Sequence, residues 1–169
     1  MEGRGSGKEV RMAMLQKLMD YLEENKVEYT HTAHPPAYTA REVASAEHVS
    51  ERSVAKVVVF LSDAGYGMAV LPADSLVDLQ EMRALQGFAR VRLATEAEIG
   101  QLFPDCELGA MPPFGHFAGI PVFADSSLAG EDTIAFNAGT HRDVVHMHYR
   151  DFERLVKPAR ISFSRRAAA

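Results

Sequence analysis

The chain holds one cysteine and no tryptophan in 169 residues. A single thiol, Cys106, excludes an internal disulfide and fits a reducing compartment. No histidine flanks it, so Cys106 reads as a small buried or half-buried side chain rather than a nucleophile. Long apolar runs are missing as well. None approaches the roughly 20 residues that a membrane-crossing helix needs, and Met1-Glu2-Gly3-Arg4-Gly5-Ser6-Gly7-Lys8 lacks the apolar centre of a signal peptide. The expectation is a disordered leader over residues 1–8, no membrane partner and a cytoplasmic location. Positive charge is also in deficit. A formal net charge of −5 argues against coating nucleic acid by bulk electrostatics, while leaving room for a local basic surface. Arg150, Arg154, Lys157, Arg160, Arg165 and Arg166, against Asp151 and Glu153, form the one basic cluster, read either as a phosphate-contacting patch or as a solvated last helix and tail.

Several chemical signatures are absent. No Gly-rich motif follows a strand, which leaves a Rossmann or P-loop site unsupported. No Gly-x-Ser-x-Gly elbow is present. Seven histidines occur, but neither His31 with His34 nor His146 with His148 is joined by a cysteine cluster or a His-Glu-x-x-His arrangement, so they read as surface or loop groups. Neither a metal nor a cofactor is expected.

What is present fits one domain over residues 9–158, followed by a C-terminal tail over 159–169. Met14, Leu15, Leu18, Met19 and Leu22 recur at helical spacing and predict a helix from Glu9 to about Asn25. Val27 to His31 reads as a strand. Thr39-Ala40-Arg41-Glu42 and Thr95-Glu96-Ala97-Glu98 carry the Thr-x-x-Glu spacing of capping boxes, which starts one helix at Thr39 and another at Thr95. Between them, the apolar Lys56–Leu61 and Met68–Leu71 predict a buried antiparallel hairpin, and Asp74 or Ser75 is expected to cap a helix ending near Gly87. Further strands are predicted at Ala89–Leu93, His116–Ala118, Ile120–Ala124, Thr133–Asn137 and Val144–His148. Residues 125–132 read as a polar surface turn, and a last helix spans Tyr149–Val156. Strands outnumber helices and short turns link them, which predicts an α+β fold: a mixed, largely antiparallel, barrel-like sheet with helices packed outside.

Three features stand out from this background. In Gly109-Ala110-Met111-Pro112-Pro113-Phe114-Gly115, two prolines stiffen a loop while glycines admit positive φ. The N–H groups of Ala110, Met111, Phe114 and Gly115 are then held in fixed directions, as a cradle for a carbonyl oxygen or carboxylate would require. Lys56 opens an apolar strand on the face of Val58 and Phe60, where its ammonium must reach water, an anion or a ligand. Asn137-Ala138-Gly139-Thr140-His141 forms a tight corner.

The order of a His-Pro segment before Thr39–Ala44, then Val54–Val59, then Gly109 to Pro113, then Phe136–His141 resembles the YbaK/prolyl-tRNA synthetase-associated editing domain family. The likeness covers roughly Met14 to Val156. It implies a freestanding aminoacyl-tRNA deacylase that hydrolyses the ester of a small mischarged amino acid, with Ala-tRNA(Pro) first in order and Cys, Ser or Thr esters next. By position, Lys56, Gly109 and Pro113 are the implied catalytic residues, with Lys56 orienting substrate and water. His34, Tyr38, Val57, Ala110, Met111, Phe114, Asn137, Gly139 and His141 would line the substrate pocket. Val57 replaces the small polar residue that several members carry there. The implied partner is mischarged tRNA, with a synthetase as a further expected partner and a monomer or homodimer as the assembly. Two alternatives remain: an aminoacyl-tRNA binding module with little turnover, and a small-molecule esterase or thioesterase.

Overall fold

The computed structural model describes residues 7–167; most of the expected leader, residues 1–6, lies outside the described residues, while Gly7 and Lys8 belong to the first helix. Helix α1 (Gly7–Glu24) buries Met14, Leu15, Leu18 and Leu22, the apolar stripe read from its spacing. Strand β1 (Tyr29–Ala33) leads to α2 (Ala40–Ala46), whose N-terminus is a complete capping box between Thr39 and Glu42. A 3-10 turn (Glu51–Ser53) precedes the hairpin of β2 (Ala55–Ser62) and β3 (Gly65–Pro72), antiparallel in register from Ala55 opposite Pro72 to Ser62 opposite Gly65. Next come β4 (Ser75–Val77), α3 (Leu79–Gln86), β5 (Val91–Leu93) and α4 (Glu96–Leu102), the last opened by the Thr95–Glu98 capping box. The chain continues through β6 (Val122–Asp125), β7 (Thr133–Asn137), β8 (Asp143–His148), α5 (Tyr149–Val156), β9 (Ala159–Ile161) and β10 (Ser164–Arg166).

These strands form an open, mixed arrangement. One sheet has the order β5-β2-β3-β6-β9, another β1-β8-β7, and β10 pairs with β4. The expected barrel-like closure is not found. Closure requires the two outermost strands to pair with each other, whereas β5 and β9, three residues each, end the larger sheet with their outer edges open. An isolated parallel bridge, Val54 to Ala135, links the two main sheets. The sheet is mixed, because β3–β6 and β6–β9 run parallel.

Three local expectations also change. Ser75 does not cap a helix: Ser75–Val77 pairs with β10, and α3 starts after Asp78, whose side chain accepts from the Glu81 N–H. His116–Ala118 is a 3-10 turn rather than a strand. It is closed by Phe117 N–H to Phe114 O and by Ile120 N–H to Gly115 O, with Gly119 left-handed at φ +67°. A Cβ on Gly115 would lie 2.6 Å from Ile120 O, so this turn needs glycine there. Finally, Asp125, read as part of a surface turn, is buried and accepts from the N–H groups of Phe163 and Ser164, both at 2.9 Å.

Strand β2 separates two cores. Val57 and Val59 face the larger one, with α1, Phe114 and Phe136. Val58 and Phe60 face a second cluster with Leu71, Met82 and Phe163.

Candidate active site

The Gly/Pro loop lies almost wholly inside. Ala110 through Gly115 are buried, while Gly109 is exposed at φ +84°, a conformation that favours glycine. Two of the four proposed cradle donors are already engaged: Ala110 N–H donates to Glu107 O at 3.0 Å and Phe114 N–H to Pro112 O at 2.8 Å. The N–H groups of Met111 and Gly115 have no main-chain acceptor among the described residues. The side chains of Met111 and Phe114 point into the larger core, where Phe114 meets the rings of Tyr21, Phe136 and Phe152.

The corner between β7 and β8 docks directly on this loop. Gly139 N–H donates to Ala110 O at 2.9 Å, and Glu107 N–H donates to Gly139 O at 2.8 Å. Gly139 sits at φ +96°. The imidazole of His141 meets the Leu108 carbonyl through Nε2 at 2.7 Å. A carbonyl only accepts, so Nε2 carries the proton and, in the neutral ring, Nδ1 keeps a lone pair. Nδ1 is buried without a partner among the described residues. The His34–Tyr38 segment closes over the same corner: Ala37 N–H donates to His141 O and His34 N–H to Arg142 O, both at 2.9 Å, and the exposed Tyr38 ring lies 4.9 Å from that of His141. Three segments separated by many residues thus meet through main-chain bonds.

Lys56 stands on β2, next in sequence to the segment that bridges to β7. Val54, two residues before Lys56, forms the isolated parallel bridge to Ala135, two residues before Asn137. The ammonium is half-buried. Burial is the largest influence on it and lowers its pKa; Asp74 opposes that shift and Arg41 adds to it. Val57, one residue on, faces the core instead. Among the described residues, four buried side-chain polar atoms lack a partner, and three of them are His34 Nε2, Asn137 Oδ1 and His141 Nδ1. The fourth, Tyr149 Oη, lies in α5. Unpaired buried polar atoms are infrequent in folded proteins, so their gathering in these loops marks the region.

The sequence reading missed what fixes the corner. Thr140 Oγ1 donates to Asp143 Oδ2 at 2.6 Å and accepts the N–H groups of Arg142 and Asp143 at 3.1 and 2.9 Å. Asp143 Oδ1 also meets His31 Nε2 at 2.7 Å. The Thr-x-x-Asp spacing from Thr140 to Asp143 was the available signal, since a hydroxyl three residues before a carboxylate folds back on the backbone as in a cap. Other features stay apart. Cys106 is half-buried, and burial pushes its thiol up to about 12. His146 and His148 face Glu47 and Glu28 at 3.5 and 3.9 Å. The open clefts of about 440 and 400 Å³ lie beside β5 and α3, lined by residues such as Arg90 and Val91 rather than by Lys56 or His141.

An open α+β fold brings three loops together with an imidazole and two positive-φ glycine corners. Residues 34–155 match the family model described as the aminoacyl-tRNA editing domain, a span that includes all three loops and Lys56. The chain belongs to the aminoacyl-tRNA editing domain family. It is 36% identical over 101 residues to the multifunctional Ser/Thr-tRNA deacylase ProXp-y of Escherichia coli strain K12, covering 59% of this chain and 60% of that protein. The chain therefore matches about three-fifths of that relative's length. It is 28% identical over 151 residues to the prolyl-tRNA editing protein ProX of Acetoanaerobium sticklandii, covering 84% and 90% of the two chains. The crystal structure of a candidate trans-editing enzyme for prolyl tRNA synthetase shares the fold at TM-score 0.79 and 21% identity, covering 90% of this chain and 97% of that one.

Proposed function

We propose that this chain is a trans-editing aminoacyl-tRNA deacylase, hydrolysing the ester between a small mischarged amino acid and the 3′ end of tRNA. The observation that carries the reading is the convergence of the 34–38, 107–115 and 137–143 segments, with buried polar atoms of His34, Asn137 and His141 unpaired there, in a chain that matches the editing-domain model over residues 34–155. An aminoacyl ester is already activated, so such a site has only to orient water, stabilise the developing oxyanion and select the amino acid. Water adds to the carbonyl carbon, the bond to the ribose oxygen breaks, and the proton lost by water ends on that oxygen. Lys56 holds the terminal phosphate, and the rigid 109–115 loop presents main-chain donors, those of Met111 and Gly115, to the ester carbonyl. His141, fixed through Nε2, closes the pocket beside Gly109.

The name of the E. coli relative supports moving Ser and Thr esters ahead of the Ala ester. An apolar pocket separates substrates differing by one methylene by only about 1–3 kcal/mol, whereas unpaired polar groups favour a side-chain hydroxyl. The test is deacylation of tRNAs charged with Ser, Thr, Ala, Cys and Pro. Release of Ser or Thr with the Pro ester untouched is expected. No release of any of them by folded protein, together with binding of a non-hydrolysable aminoacyl-adenosine, would replace the enzyme with a binding module.

A further inference from the structure

The C-terminal segment lies beyond residues 34–155, the span that the family model matches. It is nevertheless built firmly into the fold. Phe163 is fully buried, and its N–H and that of Ser164 bind Asp125 Oδ1 at 2.9 Å. Strand β10 pairs with β4, setting Arg165 opposite Leu76 and Arg166 opposite Ser75, and Ala167 N–H donates to Asp74 O at 2.8 Å. Arg166 Nε stands 4.0 Å from Asp74 Oδ2, whose other oxygen accepts from Arg52 Nη1 at 2.8 Å.

Through Asp74, β10 connects to the strand that carries Lys56. Ala73 N–H donates to Val54 O, two residues before Lys56, and the charges of Asp74 and Arg41 both act on the Lys56 ammonium. Arg41 in turn meets Glu51 at 3.4 Å. Around this edge Lys56, Arg41, Arg52 and Arg166 face two carboxylates, Glu51 and Asp74. The exposed Arg165 has no carboxylate partner among the described residues. Successive strand side chains alternate in direction, so Arg165 and Arg166 carry positive charge on both faces of β10, in a chain of net charge −5.

We propose that β10 is a phosphate-binding arm, in which Arg165 and Arg166 contact the backbone of the tRNA acceptor end as its terminal ester enters beside Lys56. The inference rests on the editing reading, which supplies tRNA as the ligand. Arginine suits phosphate because its planar guanidinium donates to two oxygens at once. The pairing with β4 and the anchor at Phe163 hold the arm in place before binding, so little ordering entropy is lost.

The test measures binding of uncharged tRNA over a salt series for wild type, Arg165→Gln/Arg166→Gln and Arg150→Gln, with single-turnover deacylation alongside. Each phosphate contact contributes roughly 0.7–0.9 to the slope of log affinity against log salt. The double variant is expected to bind about tenfold more weakly, with a slope shallower by about one to two, and to keep its rate at saturating tRNA. Arg165→Glu, which leaves the Arg166–Asp74 contact intact, is expected to weaken binding at an unchanged melting temperature. Wild-type affinity and slope in the double variant would overturn the arm. So would an equal loss in Arg150→Gln, on α5, or no tRNA binding by wild type. Arm-dependent binding without hydrolysis of any ester would instead refute the editing reading and leave the arm standing.

Discussion

Phe114→Ala separates two roles for the residue at the end of the Pro-Pro loop. Its ring is fully buried, with the rings of Tyr21, Phe117, Phe136 and Phe152 at centroid distances of 6.0, 5.9, 5.7 and 6.1 Å. Truncating such a side chain costs about 3–5 kcal/mol, because transfer energy and the residual cavity add. Aromatic pairs add about 0.5–1.5 kcal/mol beyond buried area, so the upper part of that range is expected. Typical domains are stable by about 5–15 kcal/mol; the variant should fold, but marginally. Urea unfolding with an unchanged m-value gives the loss directly. A loss below about 1 kcal/mol would refute the core assignment. The milder Phe114→Leu keeps most of the volume, and its order of preference among aminoacyl esters is expected to match wild type. A changed order would mean that the ring reaches the amino acid after all.

Other perturbations probe the neighbourhood. Gly109→Ala forces an L-residue to φ +84° while its Cβ meets His141 Cε1 at an ordinary 3.6 Å; denaturant unfolding should show a loss of about 1–2 kcal/mol from the backbone alone, and a much larger loss would mean that the loop is closed more tightly than described. Burial raises the pKa of Asp125, but hydrogen bonds from Ser127, Ser164 and Phe163 outweigh it and leave the carboxyl below its ordinary value. Its contribution is therefore complete above the unfolded carboxylate range and fades as pH falls through the depressed folded pKa. Melting curves of wild type and Asp125→Asn should accordingly converge on acidification from neutral pH, and a gap that widens would contradict the sign. Cys106, with its thiol near 12, should resist alkylation at pH 8, and Cys106→Ser should keep deacylation within about twofold; fast alkylation with loss of activity would reinstate it as a functional thiol.

Features set by a few neighbouring residues were legible in the sequence. Both capping boxes form as read, because Thr39 with Glu42 and Thr95 with Glu98 satisfy each other's backbone within one turn. The glycine corners at 109 and 139 were visible for a similar reason, since both take positive φ. What depends on distant pairing was not. Ser75 looks like a helix cap until β10, some ninety residues later, turns it into a strand residue. Barrel closure depended on the partners of three-residue edge strands, which carry little pattern of their own. Around the candidate site, residue order singled out loops that do meet in the fold but not their facing. Val57 and Phe114 turn into the core, while Thr140, read only as one residue of the corner, ties it together with Asp143 and Glu107, which the sequence did not single out.

Lys56 tests the account most directly. Single-turnover hydrolysis of the ester that wild type releases fastest should be compared with Lys56→Ala, after both are shown to melt alike. Loss of one positioned electrostatic contact at a reacting centre typically lowers a rate by about 100-fold or more, and a fall of that size is the expected result. Equal rates in two equally folded proteins would contradict the assignment of Lys56 and, with it, the site built around these three loops.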